Sequence, residues 1–260
     1  MSIRIMKSKF LIPLLIVFLS GFSQNTRITD TNSIGWYAFT GSFKLNQKLG
    51  IHTEYQWRRD ELITIWQQSL LRVGVNYELN PKIQVRLGYA WIDTFPYGDI
   101  PLNGFGKDFT EHRSFQMATL TDKVSMVDLS HRFMLEQRWV GRYTNANLNS
   151  EDDYLYMNRF RYMFRAQIPL KGKTMANKTP YFAIYDEVFI GFGKNVNENV
   201  FDQNRLGLVF GYRFNKDLRM EAGYLNQILQ LGREVTGRNV FQNNNGVIVN
   251  TIFNFDLSKK

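Results

Sequence analysis

Residues 71–79 read Leu71-Arg72-Val73-Gly74-Val75-Asn76-Tyr77-Glu78-Leu79. Every odd position is apolar or aromatic, and every even one is polar or glycine. Successive side chains on an extended strand point to opposite faces, so this is a strand with one greasy and one polar side. The same alternation lies on both flanks. Leu49, Ile51, Thr53, Tyr55 and Trp57 oppose Gly50, His52, Glu54, Gln56 and Arg58, and Ile83, Val85, Leu87, Tyr89 and Trp91 oppose Gln84, Arg86, Gly88 and Ala90. Further on, Leu206, Leu208, Phe210, Tyr212 and Phe214 oppose Arg205, Gly207, Gly211 and Arg213.

Eleven stretches of this kind are expected, near 34–45, 48–58, 64–79, 82–93, 112–122, 126–140, 153–168, 180–192, 203–214, 217–230 and 245–256. Most exceed the ~5–6 residues usual in globular strands and suit a tilted membrane crossing. Tight turns at Asn46-Gln47, Asn80-Pro81-Lys82, Thr121-Asp122-Lys123 and Asn215-Lys216 alternate with long polar loops at 94–111, 141–152, 193–202 and 231–244. Short turns on one side and long loops on the other are the pattern of bacterial outer-membrane barrels. The stretch 169–179 is the exception, long where a short turn is expected. A hairpin repeats weakly: Phe43-Lys-Leu-Asn, Tyr77-Glu-Leu-Asn and Tyr212-Arg-Phe-Asn each place asparagine at the turn.

The chain opens with Arg4, Lys7 and Lys9, an apolar run from Phe10 to Phe22, and the small residues Gly21 and Ser23. That is the plan of a secretory signal, so residues 1–23 are read as a cleaved signal peptide and 24–260 as one domain. Of the formal net charge of +9 the signal contributes three, which leaves about +6. The charge is unclustered, so no nucleic-acid partner is expected. There is no cysteine, which excludes disulfides, thiolate metal sites and lipid attachment through a thiol.

Alternation does not say which face looks outward. A soluble barrel would turn the aromatic face inward, and eleven strands enclose more space than side chains fill, since ~8 is the packed limit. Turning the aromatics into lipid resolves this, and a closed sheet pairs every backbone group. Trp57, Trp66, Trp91 and Trp139 sit toward strand ends, all but Trp66 on the greasy face, as in an interfacial belt. The expected fold is therefore all-β, a transmembrane up-and-down antiparallel barrel in the outer membrane of a Gram-negative-type bacterium. Its partners are outer-membrane lipid, lipopolysaccharide and the barrel-insertion machinery. An even strand count is usual, so about 12 strands (10–12) are expected, with residues 25–33 as a twelfth strand or a thread through the lumen.

The tryptophan strand from Trp36, the Leu-Asn-x-Lys hairpin, the Leu87-Gly88-Tyr89 strand after Asn80-Pro81 and the Tyr212-Arg-Phe-Asn-Lys hairpin resemble the domain of unknown function 2490 family. Its members are expected outer-membrane barrels, and the likeness covers nearly the whole mature chain. It implies fold and location, and no activity. Such barrels often end on an aromatic residue, whereas Phe255 is followed by Asp-Leu-Ser-Lys-Lys.

The polar face carries the candidate chemistry. Arg58, Arg72, Arg86, Arg132, Arg138, Arg159, Arg161, Arg165, Arg205, Arg213 and Arg219 are assigned to the lumen with Glu54, Glu78, Glu136, Asp186 and Glu221. Arginine rings bias a pore toward anions, whereas paired charges would instead form a rigid plug. The expected function is a narrow anion-biased pore or a structural surface barrel. One alternative is a lipid or lipopolysaccharide hydrolase, with only His52, His112 and His131 to serve as base and no serine in evident register. Another is a soluble periplasmic ligand-binding barrel. Asp93, Asp99, Asp108, Glu111 and Glu151-Asp152-Asp153 flank loops and read as solvated acids rather than a calcium site. Tyr97, Phe105 and Phe109 fit either ligand contact or a fold over the mouth. No cofactor, metal or catalytic residue is assigned.

Overall fold

The computed structural model describes residues 27–258 except residue 198. The expected signal, the cleavage point and the chain up to residue 26 lie outside these residues. Eleven strands run in order: β1 (Ile28–Lys44), β2 (Leu49–Asp60), β3 (Ile65–Asn80), β4 (Ile83–Thr94), β5 (Phe109–Val124), β6 (Val127–Arg142), β7 (Asp153–Pro169), β8 (Thr179–Phe192), β9 (Phe201–Arg213), β10 (Leu218–Val235) and β11 (Arg238–Asp256). Each pairs with its sequence neighbours, and β1 meets β11 to close the barrel.

The count is eleven, not twelve. An up-and-down barrel with an odd number of strands brings its first and last strands together pointing the same way. β1 and β11 accordingly pair in parallel from Ile28↔Val240 to Lys44↔Asp256. Residues 28–33 are neither an extra strand nor a thread through the lumen. They lengthen β1 against the first half of β11, because the β10–β11 hairpin rises far enough to offer them a partner.

That hairpin also corrects the expected loop at 231–244. Thr236 (φ 51°) and Gly237 (φ 71°) form a two-residue turn with both centres left-handed, the geometry that matches strand twist. The polar stretch is strand, lying past the apolar band. The repeated asparagines are explained by turn chemistry. The side-chain oxygens of Asn46, Asn80 and Asn215 accept backbone N–H groups two residues on, at Lys48 (2.9 Å), Lys82 (2.9 Å) and Asp217 (2.8 Å). Such Asx turns close a hairpin without further residues.

The apolar face looks outward and the charged face inward. Leu71, Val73, Val75, Tyr77 and Leu79 are exposed, while Arg72 and Asn76 between them, and Leu70 just before, are buried. From Leu71 to Leu79 the strand spans about 26 Å at ~3.3 Å per residue. Aromatic rows rim the outer surface. At the end carrying the long loops, Tyr37, Trp57, Trp66 and Phe95 follow one another at 5.2, 6.1 and 5.3 Å between ring centres. At the turn end, Phe43, Phe255 and Phe253 are 5.4 and 6.0 Å apart. Trp66 belongs to the outer row, contrary to the alternation reading. The register slips between Arg58 and Arg59, which pair with Gln68 and Trp66. Gln67 is the extra residue of a β-bulge, and it turns inward while Trp66 turns out. Arg59, outward by alternation, lies 5.1 Å from Trp57 and 4.4 Å from Trp66 and donates to the Ile63 carbonyl at 2.9 Å.

Candidate functional site

Inward positions two apart on a strand stack along the lumen, and three such charged pairs meet at one level: Glu111 with Arg113 on β5, Glu136 with Arg138 on β6, Arg159 with Arg161 on β7. With Asp202 of β9 they close a ring. Arg138 meets Glu111 at 2.5 Å, Glu111 meets Arg113 at 2.6 Å, and Arg113 reaches Glu136 at 3.8 Å. Glu136 meets Arg159 at 2.6 Å, Arg159 meets Asp202 at 2.6 Å, and Asp202 returns to Arg138 at 3.4 Å. A branch continues from Glu136 to Arg161, Glu187 and Arg132, each step 2.8 Å. Arg159 is 2 % and Glu136 1 % exposed, so this plate lies across the barrel away from solvent. Buried charges persist only when paired and hydrogen-bonded, and here each carboxylate takes at least two arginines.

The far side of the plate is aromatic. Trp36 of β1 donates its indole N–H to Gln67 at 2.6 Å. The Arg58 guanidinium lies 3.9 Å and that of Arg205 4.8 Å from its ring centre. Arg205 also lies 4.5 Å from the Phe189 ring, which Arg161 approaches to 4.3 Å.

Two cavities flank the divider, and Trp36 and Arg205 line both. The loop-side cavity, about 270 Å³, is bounded by Asn and Gln amides, Asp202, Arg58 and Arg138. The first long loop folds over it. Tyr97 is buried and donates its hydroxyl to Gln242 at 2.6 Å, while Asn244 donates back to it at 3.3 Å. Burial pushes the Tyr97 phenol up to about 12, so it stays a donor. Gly98 (φ 68°) permits this entry, because a Cβ there would lie 2.6 Å from Asn32 and 2.7 Å from Asp30. Phe109 borders the same cavity, and Phe105 is exposed. The turn-side cavity, about 380 Å³, is lined by seven arginines and three glutamates. Arg165 and Arg219 also line the space at the turn end, so this cavity opens that way.

The arginines singled out in the sequence all point inward, but not as one set. Arg72 pairs with Glu54 at 2.7 Å and Arg165 with Glu221 at 2.6 Å. Gln84 donates to Glu78, and Arg213 donates to the Met175 carbonyl at 2.8 Å. Arg58, Arg86, Arg205 and Arg219 form no ion pair among the described residues. Arg86 has only neutral partners, Asn76 at 2.5 Å and Gln84 at 3.4 Å.

Asp186 is a correction. It is exposed on the outer face, accepting from Asn204 at 3.0 Å. Tyr181, Ala183 and Glu187 hold the buried positions of β8, and period two sends Asp186 the other way. Sequence reasoning missed four plate residues. Glu187 was one position off, and Glu111 and Arg113 stood at what read as a loop margin. Asp202 is turned inward by a bulge, since Phe189 pairs with Gln203 but Ile190 with Phe201.

The other candidates stay apart from the plate. His52 is inward, 3.3 Å from Glu54. His131 is outward, its Nδ1 2.8 Å from the Tyr162 hydroxyl. His112 lies within β5 on the outer face with Ser114, two residues on. Ser114 donates to Gln137 at 2.9 Å, and His112 Nδ1 is 2.5 Å from the Tyr89 hydroxyl. The serine thus faces an amide oxygen, which is no base. Among the described residues no three His, Asp or Glu side chains gather as a metal site. Glu151 accepts from the Thr110 amide at 2.5 Å, Asp152 from Thr144 at 2.8 Å, and Asp153 pairs with Arg142.

Residues 34–236 match the family described as "Protein of unknown function (DUF2490)". The chain belongs to this family. No curated protein matches it. Among solved structures, that of the NanC porin in a rhombohedral crystal form is similar at a TM-score of 0.43 with 13 % identity, over 79 % of this chain and 91 % of that one. The family description assigns no activity, so any functional reading of this DUF2490 member rests on its own side chains.

Proposed function

We propose that the chain is an outer-membrane barrel, long loops outside, that admits small anions to a lumen closed across its middle in the present state. The reading extends to a passive role without catalysis. The observation that carries it is the inside-out distribution of side chains. Phe39, Leu71, Val75, Leu87 and Phe210 are exposed on the outer surface, while Arg58, Arg72, Arg159 and Arg161 are buried within. A soluble protein does the reverse, because exposed apolar area costs about 25 cal/mol per Å² in water. Aromatic rows at both rims fit the two interfaces of a bilayer. Arginines without carboxylate partners on both sides of the plate favour anions over cations in any passage through it.

The test is planar-bilayer recording of refolded residues 24–260 under a salt gradient. Small stepwise currents with a reversal potential on the anion side are expected when applied voltage opens the plate. Cation-selective currents, or a folded barrel silent at every voltage, would overturn the conducting part of the reading.

A further inference from the structure

The turn-side cavity has a feature that a merely salt-bridged interior lacks: more donors than acceptors, with several donors left over. Seven arginines face three glutamates there, a surplus of four positive charges. Glu54, Glu187 and Glu221 are already engaged by Arg72, Arg132 with Arg161, and Arg165. Arg86 and Arg219 have no carboxylate partner. The buried Nε groups of Arg72, Arg132 and Arg219 meet no acceptor, and Arg72 is itself only 5 % exposed. Guanidinium groups held in a low-dielectric cavity without a counter-charge are costly, so Arg86 and Arg219 favour an anion brought from outside. The cavity of about 380 Å³ opens at the turn end past Arg165 and Arg219, and the plate seals its floor.

The geometry points to a binding site in this cavity for a small soluble oxyanion carrying two or more negative charges, held by the guanidinium groups of Arg86 and Arg219, which line it without a carboxylate partner. Guanidinium groups take phosphate and carboxylate oxygens two at a time. A surplus of four charges calls for a multivalent guest rather than chloride. The inference rests on the reading of the chain as a membrane barrel with an arginine-biased lumen, in which the turn end faces the periplasm. It does not require that the plate ever opens: a blind cavity binds as well as a channel.

The experiment is isothermal titration of the refolded full mature chain, in a non-ionic detergent and chloride-free buffer, with inorganic pyrophosphate, inorganic phosphate, succinate and chloride. Saturable one-site binding is expected, with pyrophosphate at least tenfold tighter than chloride. Phosphate against succinate shows whether phosphoryl or carboxylate oxygens are preferred. The double variant R86Q/R219Q should lose at least tenfold in affinity. Lys171→Gln, an exposed charge outside the cavity, should match the parent. Should R86Q/R219Q not fold, the unaltered chain decides alone, because an anion bound only by the folded state must raise its melting temperature progressively as anion concentration exceeds the Kd. Pyrophosphate binding no tighter than chloride, equal affinity in R86Q/R219Q, or an unmoved melting temperature overturns the site. Anion-selective conductance with no saturable binding sinks this inference and leaves the pore reading standing. Binding in a silent barrel does the opposite.

Discussion

Removing the charge of Glu136 tests whether the plate holds the barrel together. Its carboxylate accepts from Arg159 Nε at 2.7 Å and from Arg161 at 2.8 Å, with Arg159 Nη2 2.6 Å and Arg113 3.8 Å away as ion-pair neighbours. Glu136→Gln keeps the shape and leaves three guanidinium groups facing a neutral amide. Breaking a buried ion pair by neutralising one partner typically costs ~3–5 kcal/mol, most of it the stranded charge. Here each arginine keeps another carboxylate: Asp202 for Arg159, Glu187 for Arg161 and Glu111 for Arg113. The loss should fall at the lower end, about 3 kcal/mol, or roughly a hundredfold in the folding equilibrium at ~1.4 kcal/mol per decade. Urea unfolding in lipid vesicles, followed by tryptophan fluorescence and by gel mobility without heating, reads this directly. A Glu136→Gln barrel as stable as the parent to within ~0.5 kcal/mol would refute the reasoning, since surface substitutions move stability by no more than that.

Two further substitutions probe the outer face and the covered mouth. Val73→Arg places a charge mid-strand on the outer surface and should cost about 2–4 kcal/mol in the same unfolding assay if that surface lies in lipid. An unchanged midpoint would argue against the membrane assignment. Tyr97→Phe strands the Gln242 and Asn244 amides, a local loss of about 1–3 kcal/mol. Amide exchange and protease cleavage between residues 95 and 108 should accelerate while barrel unfolding stays the same. Equal protection in both proteins would show that the tyrosine does not hold the loop.

Much of the fold was legible because period two is a strong signal over long strands. Leu71 to Leu79 alone sets the faces of β3, and the turn asparagines set its end. The errors arose where one residue breaks the period. The bulge at Gln67 sends Trp66 outward, and a second bulge sends Asp202 inward; neither carries a glycine or proline to mark it. The strand count failed for a different reason. Parity was argued from what barrels usually do, whereas a parallel β1–β11 closure depends on two segments 212 residues apart, such as Asn32 and Asn244. Polarity misled at 231–244, because a strand that leaves the apolar band looks like a loop in composition. The plate was half legible. Its arginines other than Arg113 follow from alternation, but which acid meets which arginine is set by register between strands, and Glu111, Arg113 and Glu187 emerge only from that register.

The central claim is that this barrel stands in lipid with its charges inside, and single-tryptophan quenching tests it most directly. A barrel retaining only Trp91, exposed on the outer face, and one retaining only Trp36, buried beside Arg58, are each refolded into vesicles of brominated lipid. Trp91 emission should be strongly quenched and Trp36 emission left nearly intact. Equal quenching of the two, or quenching of Trp36 alone, would contradict the account.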